Sequence, residues 1–342
     1  MANGEWRVAN VAEDSLLLHS PLAPRNSPLI TGRLYVCSLM ITYNPKDWFT
    51  FIFRLHKAET FRQLLPLMVG VTIYSGAIGY FEFHTWYSDE TRELTKAIST
   101  IYSILGFTLS LLLVFRTNSA YDRWWEGRKL WGDLTNNTRA FASHMNAILP
   151  KEDSESRQML SLLLATFPYA LQAHLKNEKI DDGFYDKHWL SFKNHEYYQR
   201  ITNTKHQPLE VFRCLMEFVA QLSKAGKLNG QSVYHFKTEL NKLIDVCGAC
   251  ERIKNTPIPF SYSVFLKKFI FFYVMLFPWI YSTQMVYFIA PVTVFVLYVL
   301  TSIELIAEEI ENPFNGDPND LPTLEMAVAI GGNAERVLVD RE

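Results

Sequence analysis

Charge of one sign, disulfide-forming cysteine and catalytic signatures are what this sequence has little of. Its 33 Lys and Arg residues are balanced by 35 Asp and Glu, for a net charge of −2. No basic stripe interleaved with aromatics runs along it, which argues against nucleic acid as a partner. Four cysteines in 342 residues are too few for a disulfide framework. Cys247 and Cys250 have the spacing of a redox or zinc pair, but no second pair or spaced histidines supplies the other ligands; we expect reduced, structural thiols. No Walker loop, Gly-x-Gly-x-x-Gly run, His-Glu-x-x-His or Gly-x-Ser-x-Gly occurs. His174, His188, His195, His206 and His235 are scattered and read as surface or packing residues, so no enzyme is expected. The start lacks the charged stretch, apolar core and cleavage site of a signal peptide.

What is there is apolar bulk in blocks: 49% of residues are hydrophobic and 14% aromatic. Residues 1–39 are polar and aperiodic, and we expect a poorly ordered extension. Residues 40–132 hold an amphipathic stretch, Trp48 to Arg62, suited to the membrane interface, and a first hairpin of two spans. The first span, about Leu64 to Phe83, contains Gly70, Gly76 and Gly79, which would let helices approach closely. Trp86 and Tyr87 mark its far interface. Asp89, Glu90 and Glu93 form a charged outer loop. Arg116, Arg123, Arg128 and Lys129 follow the second span and place its end in the cytoplasm.

Residues 133–259 read as a helical cytosolic domain with helices from Pro150 to about Leu175, Leu209 to Leu222 and Val233 to Ile253, and a kink expected at Pro168. Residues 260–307 form a second hairpin, Phe265 to Tyr281 and Met285 to Ile306, turning at Ser282-Thr-Gln284, with Pro278 and Pro291 as candidate kinks. Residues 308–342 are an acidic turn and a C-terminal segment. The expected fold class is an all-α membrane protein of four spans with a helical cytosolic domain and both termini cytoplasmic.

The second span, Ala97 to Phe115, is organised by one lane. Every fourth position reads Ser99, Ser103, Phe107, Leu111, Phe115, Ser119, Arg123, residues that share a helix flank. Hydroxyls give way to three bulky apolar groups over about 12 Å, then to a hydroxyl and a charge. That is how a pore with a dry waist reads; equally, the three apolar residues could meet lipid or another helix. Past the last span, Asp317 and Asp320 lie three residues apart in a turn. Such a turn offers oxygens to a hard cation such as calcium, or is a solvated cap.

Four stretches occur together in one order: YNPKDW (Tyr43 to Trp48), FRTNSAYDRWWEGRKLWG (Phe115 to Gly132), ACERIKNTPIPFSY (Ala249 to Tyr262) and AEEIENPFNGDPNDLP (Ala307 to Pro322). On them the chain from about Met40 to Arg336 resembles the bestrophins, particularly their bacterial branch. The resemblance implies a homopentameric ion channel in membrane lipid, with Phe107, Leu111 and Phe115 as the pore neck. A second, cytosolic constriction falls near Gln231, where the family carries an apolar residue. The implied function is passive conduction of chloride, with sodium or potassium as the alternative permeant ions; a membrane-anchored sensor or a transporter is the remaining reading. The family's calcium clasp maps to side chains of Asp317 and Asp320 and carbonyls of Glu309 and Asn312, although Pro318 and Asn319 interrupt the acidic run of animal members.

Overall fold

A computed structural model describes residues 59–85, 89–180 and 195–339, and it is helical throughout these residues without strands. The N-terminal extension, nearly all of the interfacial stretch, Trp86, Tyr87 and His188 lie outside them.

Helix α1 (Glu59–Thr85) is followed by α2 (Asp89–Ile148), then α3 (Ser154–Leu175), α4 (Glu196–Asn203), α5 (Gln207–Lys224), α6 (Gly230–Asn255), α7 (Phe260–Met285), α8 (Ile289–Glu311) and α9 (Thr323–Leu338). Four of these, α1, α2, α7 and α8, contain stretches long and apolar enough to cross a membrane.

Helix α2 decides the architecture. Its 60 residues make a rod of roughly 90 Å, about three times the hydrocarbon core of a bilayer. The boundary expected at Asp133 therefore falls inside one helix. No proline interrupts the chain between Asp89 and Pro150, and a continuous buried stripe holds it: Tyr102, Leu109, Leu113, Ala120, Trp131, Leu134, Phe141 and Met145. Its upper half packs with α1, α7 and α8 around Val71, Leu109, Ile270 and Leu297. Its lower half joins α3, α5, α6 and α9 around Trp131, Phe141, Phe167, Phe236 and Phe314.

The helix starts follow side-chain chemistry. Asp153 accepts from the Ser156 amide at the start of α3, His206 from Leu209 at α5, and Asn229 from Ser232 at 2.7 Å at α6, each answering an amide that the first turn leaves unpaired. Pro257 and Pro259 separate α6 from α7.

Several expectations are corrected. Ser282 to Gln284 continue α7, and the reversal is a 3₁₀ turn at Val286–Phe288. Pro291 then lies in the first turn of α8, where no intrahelical acceptor awaits its missing N–H, so it marks a beginning rather than a kink. The helix expected to run through Pro168 to about Leu175 does so as α3. Gly70 and Gly76 have no neighbour within 4 Å of a modest side chain. The close approach is made by Gly106 instead, whose Cβ position is filled by the Tyr273 hydroxyl. Helix α9, unforeseen behind its Gly331-Gly332 pair, packs on α3 so tightly that a side chain at Gly331 would lie 3.2 Å from Ala165.

Candidate functional site

A helix turns about 100° per residue, which puts Leu111 half a turn from the buried stripe of α2 and Phe107 and Phe115 to either side of that opposite line. The three side chains stand out from the protomer accordingly, Phe107 at 72%, Leu111 at 45% and Phe115 at 55% exposure. They share the face of α2 that the described residues leave most exposed. Above them, Ser103 is exposed and Ser99 half-buried. The two hydroxyls donate back along the helix, Ser99 to the Lys96 carbonyl and Ser103 to the Ser99 carbonyl, each at 2.8 Å. Such back-bonding satisfies a hydroxyl that has no other partner in an apolar setting. Ser119 is exposed below them.

Arg123 departs from the lane. It is half-buried, and its guanidinium donates to three backbone carbonyls: Nε to Glu311 at 2.9 Å, Nη1 to Thr256 at 2.5 Å and Nη2 to Ile253 at 2.6 Å. These carbonyls belong to the C-terminal ends of α6 and α8, where acceptors lack intrahelical partners and the dipole is negative. One planar fork of five donors thus closes two helices and ties both to α2. Arg116, expected at an open cytoplasmic foot, is only 1% exposed. Its Nη2 lies 2.7 Å from Glu311 and its Nε 3.4 Å from Glu304, and the other Glu311 oxygen accepts the Ile258 amide at 2.7 Å. Neither arginine presents its charge to the lane. The charges exposed there are Asp122 and Lys129, the latter 5.8 Å from the Trp125 ring centre.

The acidic turn after α8 rests on α2. A side chain at Gly127 would lie 3.1 Å from Phe314 and 3.2 Å from Pro313 and Leu321, so the turn sits close enough that any added Cβ would press on all three. Trp124 donates to the Asn319 carbonyl at 3.1 Å. Asp320 is buried, and one of its oxygens accepts the amides of Gly316 and Asp317 at 2.6 and 3.0 Å. Burial pushes its carboxyl up to about 6. Glu309 accepts from the Asn319 side chain at 2.6 Å, and Asn315 donates to Asp317 at 3.3 Å. The turn is closed by its own hydrogen bonds, yet Asp320 Oδ1 and Asn312 Oδ1 are buried with no donor among the described residues. Two unanswered oxygens fit a hard cation. The carboxylates of Glu309, Asp317 and Asp320 do not gather into one coordination sphere.

The profile described as Bacterial/Fungal Bestrophin protein matches residues 40–336. The chain belongs to the bestrophin family. Among its relatives is the voltage-dependent anion channel-forming protein of Nostoc sp., 37% identical over 64% of this chain and 71% of the relative. The protein of the same description from Ralstonia nicotianae is 33% identical over 68% of this chain and 74% of the relative. A bacterial bestrophin homologue from Klebsiella pneumoniae superposes with a TM-score of 0.68 at 24% identity, over 85% of this chain and all 100% of that one. At that identity the likeness establishes the fold, an all-α membrane protein with four candidate spans.

The remaining sites in this bestrophin-family chain divide sharply. Gln231 is exposed on the first turn of α6, just past the Asn229 cap. Cys247 and Cys250 are buried on α6, and burial raises both thiols, Cys250 to about 12. A thiol so placed is a poor nucleophile or metal ligand, as expected of packing residues. The scattered histidines, by contrast, are not all scattered in space. His174, His206 and Glu251 converge, as do His144, His235 and Glu239, their ligand atoms lying within 4.8 Å of one another. Sequence reasoning passed over both groups; the only local signal was the one-turn spacing of His235 and Glu239.

Proposed function

We propose that this chain assembles as a homopentamer in the cell membrane, with α2 of each copy facing a central water path, and conducts small monovalent ions passively, anions above all. The family and its anion channel-named relatives make the chain a channel protein and not an enzyme. The observation that carries the finer reading is the outward set of Phe107, Leu111 and Phe115, directly opposite the stripe that α2 buries. Five copies would stack three apolar rings, and a narrow apolar passage excludes ions by expelling water. The positive edges of Phe107 and Phe115 favour a partly dehydrated anion. Gln231 is assigned to the cytosolic end of the same path. Both termini are assigned to the cytoplasm on the basic residues that follow the second span.

Replacing Phe107, Leu111 and Phe115 together by Ala should turn a gated conductance in planar bilayers into a leak. A triple variant with wild-type conductance would remove the neck from the proposal.

A second reading, a sodium- or potassium-selective channel of the same fold, draws on one observation. The arginines that would have concentrated anions at the inner foot are bound to Glu304, Glu311 and three carbonyls, and the charges left exposed there, Asp122 and Lys129, are of opposite sign. Reversal potentials in liposomes under opposed sodium chloride gradients separate the two readings by sign.

Calcium at the turn is also proposed, through Asp317 and Asp320 side chains and carbonyls of Glu309 and Asn312. Of the two unanswered oxygens, Asp320 Oδ1 belongs to this ligand set and supports it. Bound ion stabilises the folded state, so calcium should raise the melting temperature of the wild type and leave Asp320→Asn unmoved.

A further inference from the structure

The end of α2 meets the beginning of α6 at a cluster that conduction does not use. Phe141 and Phe236 lock the two helices edge to face, with ring centres 5.5 Å apart. That contact brings His144, three residues after Phe141, beside His235 and Glu239, which lie one turn apart on α6. His144 Nδ1 is 2.7 Å from Glu239 Oε1 and His235 Nε2 is 3.5 Å from the same oxygen. The three ligand atoms lie within 4.8 Å of one another. The ligand atoms of a tetrahedral ion with bonds near 2.0–2.1 Å stand about 3.3 Å apart. The second Glu239 oxygen is buried without a hydrogen-bond partner among the described residues, on a residue only 8% exposed. A buried carboxylate oxygen left unanswered is costly, and a cation would answer it.

The other histidine group shows what a non-metal arrangement looks like. His206 Nδ1 accepts the Leu209 amide at 3.3 Å. Its Nε2 therefore carries the proton and points it at Glu251, 2.8 Å away. A neutral imidazole bound to metal through Nε2 would need that proton on Nδ1 instead. His144 Nδ1 hydrogen-bonds Glu239 at 2.7 Å without a metal, but the other ring nitrogens of His144 and His235 make no backbone bond among the described residues, so the proton can move there and leave the ligating nitrogens a lone pair.

We propose that His144, His235 and Glu239 form a site for a divalent transition metal of the zinc class, clamping the end of α2 to the start of α6. Two imidazoles and a carboxylate are the donor set such ions take, with the fourth position left to water. His144 and His235 are 50% and 58% exposed, which gives the ion a way in.

The test uses the full-length protein in detergent, with cobalt(II) as a visible probe and zinc as competitor. The expected result is one tetrahedral cobalt spectrum per chain, displaced by zinc. His144→Ala and His235→Ala should each weaken binding by more than about tenfold, since even outer-shell changes cost that much, and His174→Ala should leave it unchanged. Both substituted rings are largely exposed, and metal-free melting curves establish that the variants fold. No cobalt binding, a spectrum indifferent to His144 and His235, or one abolished by His174→Ala or Cys247→Ser would each overturn the site.

Discussion

Arg123 shows how far one side chain's role depends on its partners. In the sequence it continues a lane of residues four apart; in the fold it leaves that lane to hold the ends of α6 and α8. Arg123→Ala leaves three carbonyls without a charged donor and should destabilise the protomer by on the order of 3 kcal/mol, read as a lower melting temperature in detergent. Arg123→Lys should rescue little, because an ammonium on a flexible stem cannot present a planar fork to carbonyls from two helices. A full rescue by Lys would mean that only the charge matters. The same contrast explains why the arginines after the second span were misleading. Basic residues at the end of a span report orientation, but whether their charge reaches an open path depends on carboxylates 188 residues or more away in the chain, such as Glu304 and Glu311.

At the scale of elements, the acidic turn and α2 are one unit. Gly127→Val would drive a branched side chain into Pro313, Phe314 and Leu321 and should cost about 1–3 kcal/mol by overpacking. Loss of protection of the 312–322 amides in hydrogen exchange would follow, with the α3 amides unaffected; an unaltered turn would mean the contact is loose. A second junction joins α3, α5 and α6 at His174, His206 and Glu251, where the two imidazoles stack 4.4 Å apart. Burial holds the His174 imidazole below its ordinary range against the opposing pull of Glu251. The unfolded chain then takes up a proton that the folded chain refuses. Stability is full above about 6.5 and falls as pH drops from there toward the lower folded value. Melting curves across that range should show the fall, and His174→Gln should flatten it. The helices from Pro150, Leu209 and Val233 were legible from their apolar spacing, each starting within about four residues of the observed α3, α5 and α6, whereas the short α4 was not read. Helix α9 was not, because its glycine pair reads as a break and only contact with Ala165 shows that it is a packing surface.

For the whole molecule, the described residues leave Ile101, Ile104, Phe107, Leu111 and Phe115 of α2 uncovered, with Phe271, Phe272 and Phe295 of the second hairpin. Lipid can cover a hairpin face, but a dry neck requires other copies of α2. The purified protein should therefore run as five copies by native mass spectrometry. A monomer under conditions that preserve the fold would leave Phe107, Leu111 and Phe115 facing lipid and remove the proposed path.

By itself, the order of residues determined the helical class, the apolar blocks, most of the helix positions and the lane on the second span. Each of these follows from spacing within a single helix or from runs of composition, which involve near neighbours only. Tertiary structure alone decided which side of α2 is buried, that Arg116 and Arg123 are bound rather than offered, that the acidic turn packs on Gly127, and which histidines meet. Those outcomes join residues separated by tens to hundreds of positions, and only packing brings such partners within bonding distance.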